Sequence, residues 1–129
     1  MTNDTFDHLS QVIQDYFDAL YDCDVGKLQR VFHPRAIYAT ADETPFLYRT
    51  MDEYFPVVAA RQSPASRGER RRDHIDGIDL AGDNTAVARV RCSIGSRDFV
   101  DFLTFVRVDG TWRIIAKVFQ ITETRQQEA

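Results

Sequence analysis

The 129-residue sequence has little of what marks specialised chemistry. It has two cysteines, Cys23 and Cys92, in unrelated contexts. No CxxC and no Cys/His spacing of a metal site accompanies them, so neither a disulfide framework nor a bound metal is expected. No apolar run approaches the ~20 residues that span a bilayer, and a membrane partner is not expected. Met1–Asp4 is polar and no apolar stretch of leader type follows. That predicts no secretory leader and, with two free thiols, a cytoplasmic setting. Positive charge is not in excess: the formal net charge of −4 argues against general nucleic-acid binding. There is no Ser-His-Asp order, no phosphate-cradling glycine loop and no HExxH, so no nucleotide or other cofactor is implied. No repeat or low-complexity segment is present.

What is present is enough for one domain, residues 1–129, with a folded core over about 5–121 and a C-terminal tail from 122 to 129. Apolar content of 43% and charged content of 28% are ordinary for a globular chain. A domain of this size buries roughly two-thirds of its unfolded surface and needs no staples.

The N-terminal half reads as helices. Leu9, Val12, Ile13, Tyr16, Phe17, Leu20 and Tyr21 recur with the spacing of an amphipathic helix. Asp24 has the character of an N-cap for a second, short helix carrying Leu28, Val31 and Phe32, which Pro34 stops. "AIYA" (36–39) suits a short strand. "TMDE" (50–53) is a capping box, in which Thr50 and Glu53 satisfy each other's amides, and it opens a third helix to about Arg61 with Pro56 inside it. "SPASRGERRRD" (63–73) reads as a loop.

From His74 the period changes to two. "HIDGIDLAG", "TAVARVRCSI", "DFVDFLTFVRV" and "TWRIIAKVFQI" are four strands separated by the turn signals "AGDN", "GS" and "DG". Short turns make antiparallel neighbours, and long twisted strands curl. The fold class is therefore α+β: three N-terminal helices packed on one face of a curled antiparallel sheet.

"FVDFLTFVRVDGTWRIIAKVFQI" (99–121) places Asp101 and Lys117 near the middles of two apolar strands. Buried charges are costly, so these two must pair, reach water or face a cavity. The turn decides which. A two-residue Asp109-Gly110 loop sets Lys117 opposite Phe102; a three-residue loop from Val108 to Gly110 sets it opposite Asp101. The longer loop is the expectation, because it pairs the charges on one face. Arg91 joins them if the Gly95-Ser96 turn has an odd-length loop.

The order of helix, short helix ending "FHPRA", third helix and curled sheet ending "DGTWRI" resembles the nuclear transport factor 2-like superfamily. Within it, "YFDALYDCDVGKLQRVFHPRA", "GDNTAVARV" and "DFLTFVRVDGTWRIIAKVF" are most similar to small bacterial proteins called "putative lumazine-binding". The resemblance covers roughly residues 8–121 and implies a cone with an internal pocket. Ketosteroid isomerases of the superfamily hold an oxyanion with a first-helix Tyr and a neutral Asp on a late strand. Tyr16 and Asp101 stand at those positions. The position of the isomerase base falls near Thr40, which cannot take a carbon-bound proton at neutral pH, with Asp42 two residues on. A cation at Lys117 favours the Asp101 carboxylate over the neutral acid. Steroid isomerisation is therefore not expected.

The resemblance also implies a pocket acid or base, for which His33 in "FHPR" is a candidate beside Asp101. Tyr16, Tyr38, Tyr54, Arg91, Asp101 and Lys117 are the expected ligand-binding residues. The expected ligand is a small, partly apolar, oxygen-bearing molecule, with lyase, cyclase or isomerase chemistry and a non-catalytic interaction module as the alternatives. Val100, Phe102, Val106, Trp112 and Ile114 are expected on the outer sheet face, where a second copy would cover them in a homodimer.

Overall fold

A computed structural model describes residues 3–123. The expected tail lies, from 124 on, outside the described residues. The first helix, α1 (Asn3–Asp22), buries Leu9, Ile13, Tyr16, Phe17 and Leu20 along the stripe the sequence shows. At α2 (Val25–Val31) the Asp24 carboxylate accepts from the Lys27 amide at 3.0 Å. At α3 (Met51–Ala60) the Thr50 amide donates to Glu53 at 2.9 Å, which is the capping box at work.

Six strands form one sheet: β1 (Phe32–Thr40), β2 (Leu47–Thr50), β3 (His74–Ala81), β4 (Thr85–Ile94), β5 (Arg97–Val108) and β6 (Thr111–Thr122). Their spatial order is β2-β1-β6-β5-β4-β3. The meander β3 to β6 and the β1–β2 pair are antiparallel, while β1 runs parallel to β6, so the curled, unclosed sheet is mixed. The three helices pack against β1 and β6, closing the concave side into a cone. Among the described residues no helix is long and apolar enough to cross a membrane.

The β5–β6 hairpin corrects the expected register. Its loop is the two-residue Asp109-Gly110, with φ of 51° and 78°. Two successive positive φ values are what a type I′ hairpin turn demands. With that loop alone Lys117 would face Phe102 and point outward. It does not, because Ile115 is an extra residue: Phe105 pairs with Ile114 and Thr104 with Ala116. This bulge shifts the register and reverses the faces beyond it. Lys117 lies opposite Leu103, and Asp101 opposite Phe119, so the two charges are diagonal neighbours on the inner face. The same bulge lets Trp112 and Ile114 turn inward as well, at 4% and 0% exposure, whereas the strand alternation assigned them to the outer face.

The β4–β5 loop is also even. Ile94 pairs with Arg97 across Gly95-Ser96, which places Val90 opposite Asp101. Ala86, Ala88, Val90 and Cys92 point inward, and Arg89 and Arg91 point outward.

Candidate functional site

The inner face of the sheet carries a chain of aromatic rings. Tyr38 on β1 stacks on Tyr54 of α3 at 4.2 Å and meets Phe119 of β6 in a tilted contact at 4.8 Å. Phe32 lies edge-on to Tyr16 and Tyr54. Into this apolar packing α1, β5 and β6 project three polar groups. The Tyr16 hydroxyl donates to Asp101 Oδ2 at 2.7 Å, and Lys117 Nζ stands 4.0 Å from that same oxygen. Asp101 has no exposure and Lys117 has 5%.

The Lys117 ammonium sits within 5.1–5.9 Å of the ring centres of Tyr16, Tyr38, Phe119 and Tyr54. Ring faces attract a cation, and the attraction grows when the site is dry. Burial acts most strongly on Lys117 and works against its charge. The Asp101 carboxylate, with Tyr54 and Tyr38 close by, outweighs it, so the ammonium is held above its ordinary value of 10.5. Burial and the Asp101 charge push the Tyr16 hydroxyl well above its usual range, and they do the same to the Cys92 thiol. Burial likewise raises Tyr54, against the pull of Lys117. At neutral pH Lys117 is therefore an ammonium, and the Tyr16 and Tyr54 hydroxyls and the Cys92 thiol are neutral.

Two hydrogen-bonding capacities here are unused by the protein. Asp101 Oδ1 is buried with no donor among the described residues. Lys117 has no hydrogen-bond acceptor among them, since Asp101 is too far for one. An orphaned buried carboxylate oxygen costs free energy in a merely structural core. An unused acceptor and an unused donor in one ion pair suit a ligand or water that offers the opposite groups.

A narrow cleft reaches this centre between the ends of α1 and α3 and the β4–β5 hairpin. Leu20, Arg61, Cys92, Phe99, Tyr54 and Lys117 line it, and its free volume is about 20 Å³. That holds about one water. The aromatic rings occupy the space that the expected pocket would have had.

Of the residues singled out from the sequence, Tyr16, Tyr38, Tyr54, Asp101 and Lys117 are brought together. His33 and Arg91 are not. His33 Nδ1 accepts from the Arg35 amide at 3.0 Å, a local turn contact that fixes the His-Pro-Arg stretch. Arg91 is on the outer face, where it donates to Asp76 at 3.0 Å. The even-length Gly95-Ser96 loop is the physical reason. Thr40 donates to the Phe119 carbonyl at 2.7 Å, and Asp42 is held by the Ile121 amide at 2.9 Å, so neither supplies the base that isomerases use. Three neighbours of the centre were not singled out: Cys92, whose thiol donates to Asp101 at 3.7 Å, Phe119 and Arg61. Cys92 could have been found, because strict alternation in "TAVARVRCSI" puts it in line with Val90. Among the described residues no group of three His, Cys, Asp or Glu side chains is placed to hold a metal ion.

Comparison with known proteins gives a consistent picture. The family described as "putative lumazine-binding" matches residues 4–120. A Cladobotryum protein named aldolase FrzH is 26% identical over 122 residues, 92% of this chain and 93% of its own. An NTF2-like protein of unknown function from Shewanella baltica superposes with a TM-score of 0.85 at 19% identity, over 96% of this chain and 98% of its own. One from Silicibacter pomeroyi does so with a TM-score of 0.80 at 23% identity, over 95% and 100%.

Proposed function

The chain belongs to the family described as "putative lumazine-binding", within the nuclear transport factor 2-like superfamily, and from that premise we propose that it binds a small, partly apolar, oxygen-bearing molecule inside the cone. The polar end of the ligand meets Asp101, Lys117 and Tyr16, and its apolar body lies against Tyr38, Tyr54 and Phe99. One observation carries this reading. Asp101 Oδ1 is buried with no donor among the described residues, and the Lys117 ammonium, 4.0 Å from the other carboxylate oxygen, has no hydrogen-bond acceptor among them. The test is to denature protein purified without additives and to analyse the released fraction by mass spectrometry. Wild-type protein should release an oxygen-bearing compound that Lys117→Met protein lacks. Equal release from both, or none from wild type, removes the interior as the binding site.

A second reading, carbonyl chemistry, is supported by the name of the matched aldolase and by the nature of the pair. A carboxylate with a free oxygen takes a proton next to a carbonyl, and a fixed ammonium stabilises the enolate oxygen that develops. The amine itself stays protonated, so it is no Schiff-base nucleophile. Proton exchange next to the ketone of levulinate in D₂O, abolished by Asp101→Asn, is the expected result; no exchange by wild type refutes it.

The outer face of the sheet supports self-association. One register row crosses it from Tyr48 through Ala39, Val118 and Phe102 to Arg89. Tyr48, Val118 and Phe102 are about half exposed. Phe102, with Arg89 over its ring, separates two grooves of about 540 and 330 Å³. A ridge beside a groove that carries both Arg89 and Asp79 supports a self-complementary contact of the kind a two-fold homodimer makes.

A further inference from the structure

The cleft that ends at Lys117 holds a second cation. Arg61 follows the last residue of α3, and its backbone amide caps that helix on the Val58 carbonyl at 3.1 Å. Its side chain is half-buried and lines the same cleft as Tyr54, Phe99 and Lys117. Its charge reaches the interior, for it partly offsets the rise that burial gives the Tyr54 pKa, and it does the same for Cys23 at the end of α1. Of the neighbouring arginines, Arg67 pairs with Glu69 and Arg71 with Asp18 and Asp73, whereas Arg70 and Arg72, like Arg61, have no ion pair among the described residues. Arg61 has no ion pair or hydrogen bond from its guanidinium to any described residue. The charged residues lining this cleft are therefore two cations, Arg61 and Lys117. Asp101 neutralises Lys117 at the inner end, and the charge at the mouth is left over.

We propose that the cleft takes a small carboxylic acid that carries a hydroxyl or carbonyl oxygen at its other end, and that Arg61 is the residue that holds the carboxylate. This rests on the interior-binding reading above and adds to it the charge of the ligand and a residue for it. A guanidinium presents parallel N–H donors that match a carboxylate's two oxygens. At the far end the hydroxyl or carbonyl oxygen accepts from the Lys117 ammonium, which lines the cleft and has no acceptor among the described residues. The rings of Tyr38, Tyr54 and Phe99 take the apolar middle. A volume of about 20 Å³ holds one water, so a larger molecule enters as Arg61 and Phe99 swing outward. Both side chains are only half-buried, and their movement breaks no backbone hydrogen bond of α3 or β5.

The test is isothermal titration with a panel of small hydroxy and oxo acids, 4-hydroxybenzoate and levulinate among them, each paired with its methyl ester. The proteins are wild type, Arg61→Gln, Arg61→Lys and Lys117→Met, all checked for an unchanged circular dichroism spectrum. Hydrogen bonds to a charged group contribute enough that acids should bind about tenfold to hundredfold tighter than their esters. Arg61→Gln should remove that advantage and leave ester binding unchanged, and Arg61→Lys should keep part of it. Lys117→Met should weaken acid and ester alike. Esters that bind wild type as well as acids do, or acids that bind Arg61→Gln as well as wild type, overturn the assignment of Arg61 while interior binding stands. Acids that Lys117→Met binds undiminished, or a panel with no binder at millimolar concentration, overturn both.

Discussion

Removing Asp101 and Lys117 one at a time and then together measures the centre without knowledge of its ligand. Two unit charges 4.0 Å apart attract by about 4 kcal/mol at the effective dielectric constant that fits protein sites, about 20. The cost of taking both from water offsets much of this, so the pair adds little net stability, but breaking it is expensive. Lys117→Met leaves the Asp101 carboxylate with only the Tyr16 hydroxyl and the Cys92 thiol as donors. The expected loss is about 3–5 kcal/mol. Asp101→Asn should cost less, about 2–3 kcal/mol, because Tyr16 still finds an amide oxygen and four rings still face the ammonium. The double variant should cost less than the sum by about 2–4 kcal/mol, since neither charge is then left alone. Urea unfolding followed by Trp112 fluorescence suits the measurement, because this single tryptophan is buried in the same core. Additive losses, each below about 1 kcal/mol, would refute the reasoning by showing that the pair behaves as an exposed one.

Two further outcomes follow from the same structure. Lys117 titrates above its ordinary value of 10.5 in the folded state, so its contribution is complete below that pH and is lost as pH rises through and beyond it. Wild type should therefore lose stability above about pH 10.5 more steeply than Lys117→Met, by up to about 1.4 kcal/mol per pH unit; equal slopes contradict the raised value. Phe102→Asp, at the centre of the outer face, should convert a dimer to a monomer in sedimentation velocity without lowering the helical signal; a wild-type monomer at micromolar concentration removes the dimer.

Much of the architecture is dictated locally. The stripe of α1, the Asp24 cap, the Thr50–Glu53 capping box and the four C-terminal strands each depend on residues a few positions apart, and local chemistry suffices to place them. The turn signals fix which strands are consecutive neighbours. They do not reveal that β1 lies parallel beside β6, because that pairing joins residues nearly eighty positions apart. The candidate site was half legible for the same reason. A carboxylate and an ammonium in apolar strands stand out from composition alone, and Tyr16 falls on the buried stripe of its helix.

Which face those charges share was decided by tertiary structure. The Asp109-Gly110 turn is even, and by itself it would turn Lys117 to the outside. The Ile115 bulge undoes that, and no motif announces it: Ile114 and Ile115 are alike in sequence, and packing of Trp112 and Ile114 into the core on one side, with Lys117 and Phe119 on the other, selects the extra residue. Arg91 shows the reverse. It sits one residue from a buried neighbour on each side, and an even Gly95-Ser96 loop sends it outward to Asp76. The period of two tells which residues travel together along a strand, but the sign of the face is a collective property of loop length, bulge and core volume. Arg61 entered the site only because α3 ends where the cone opens. The sequence determined the charges this protein must bury; the fold determined that they meet in one ring-lined interior.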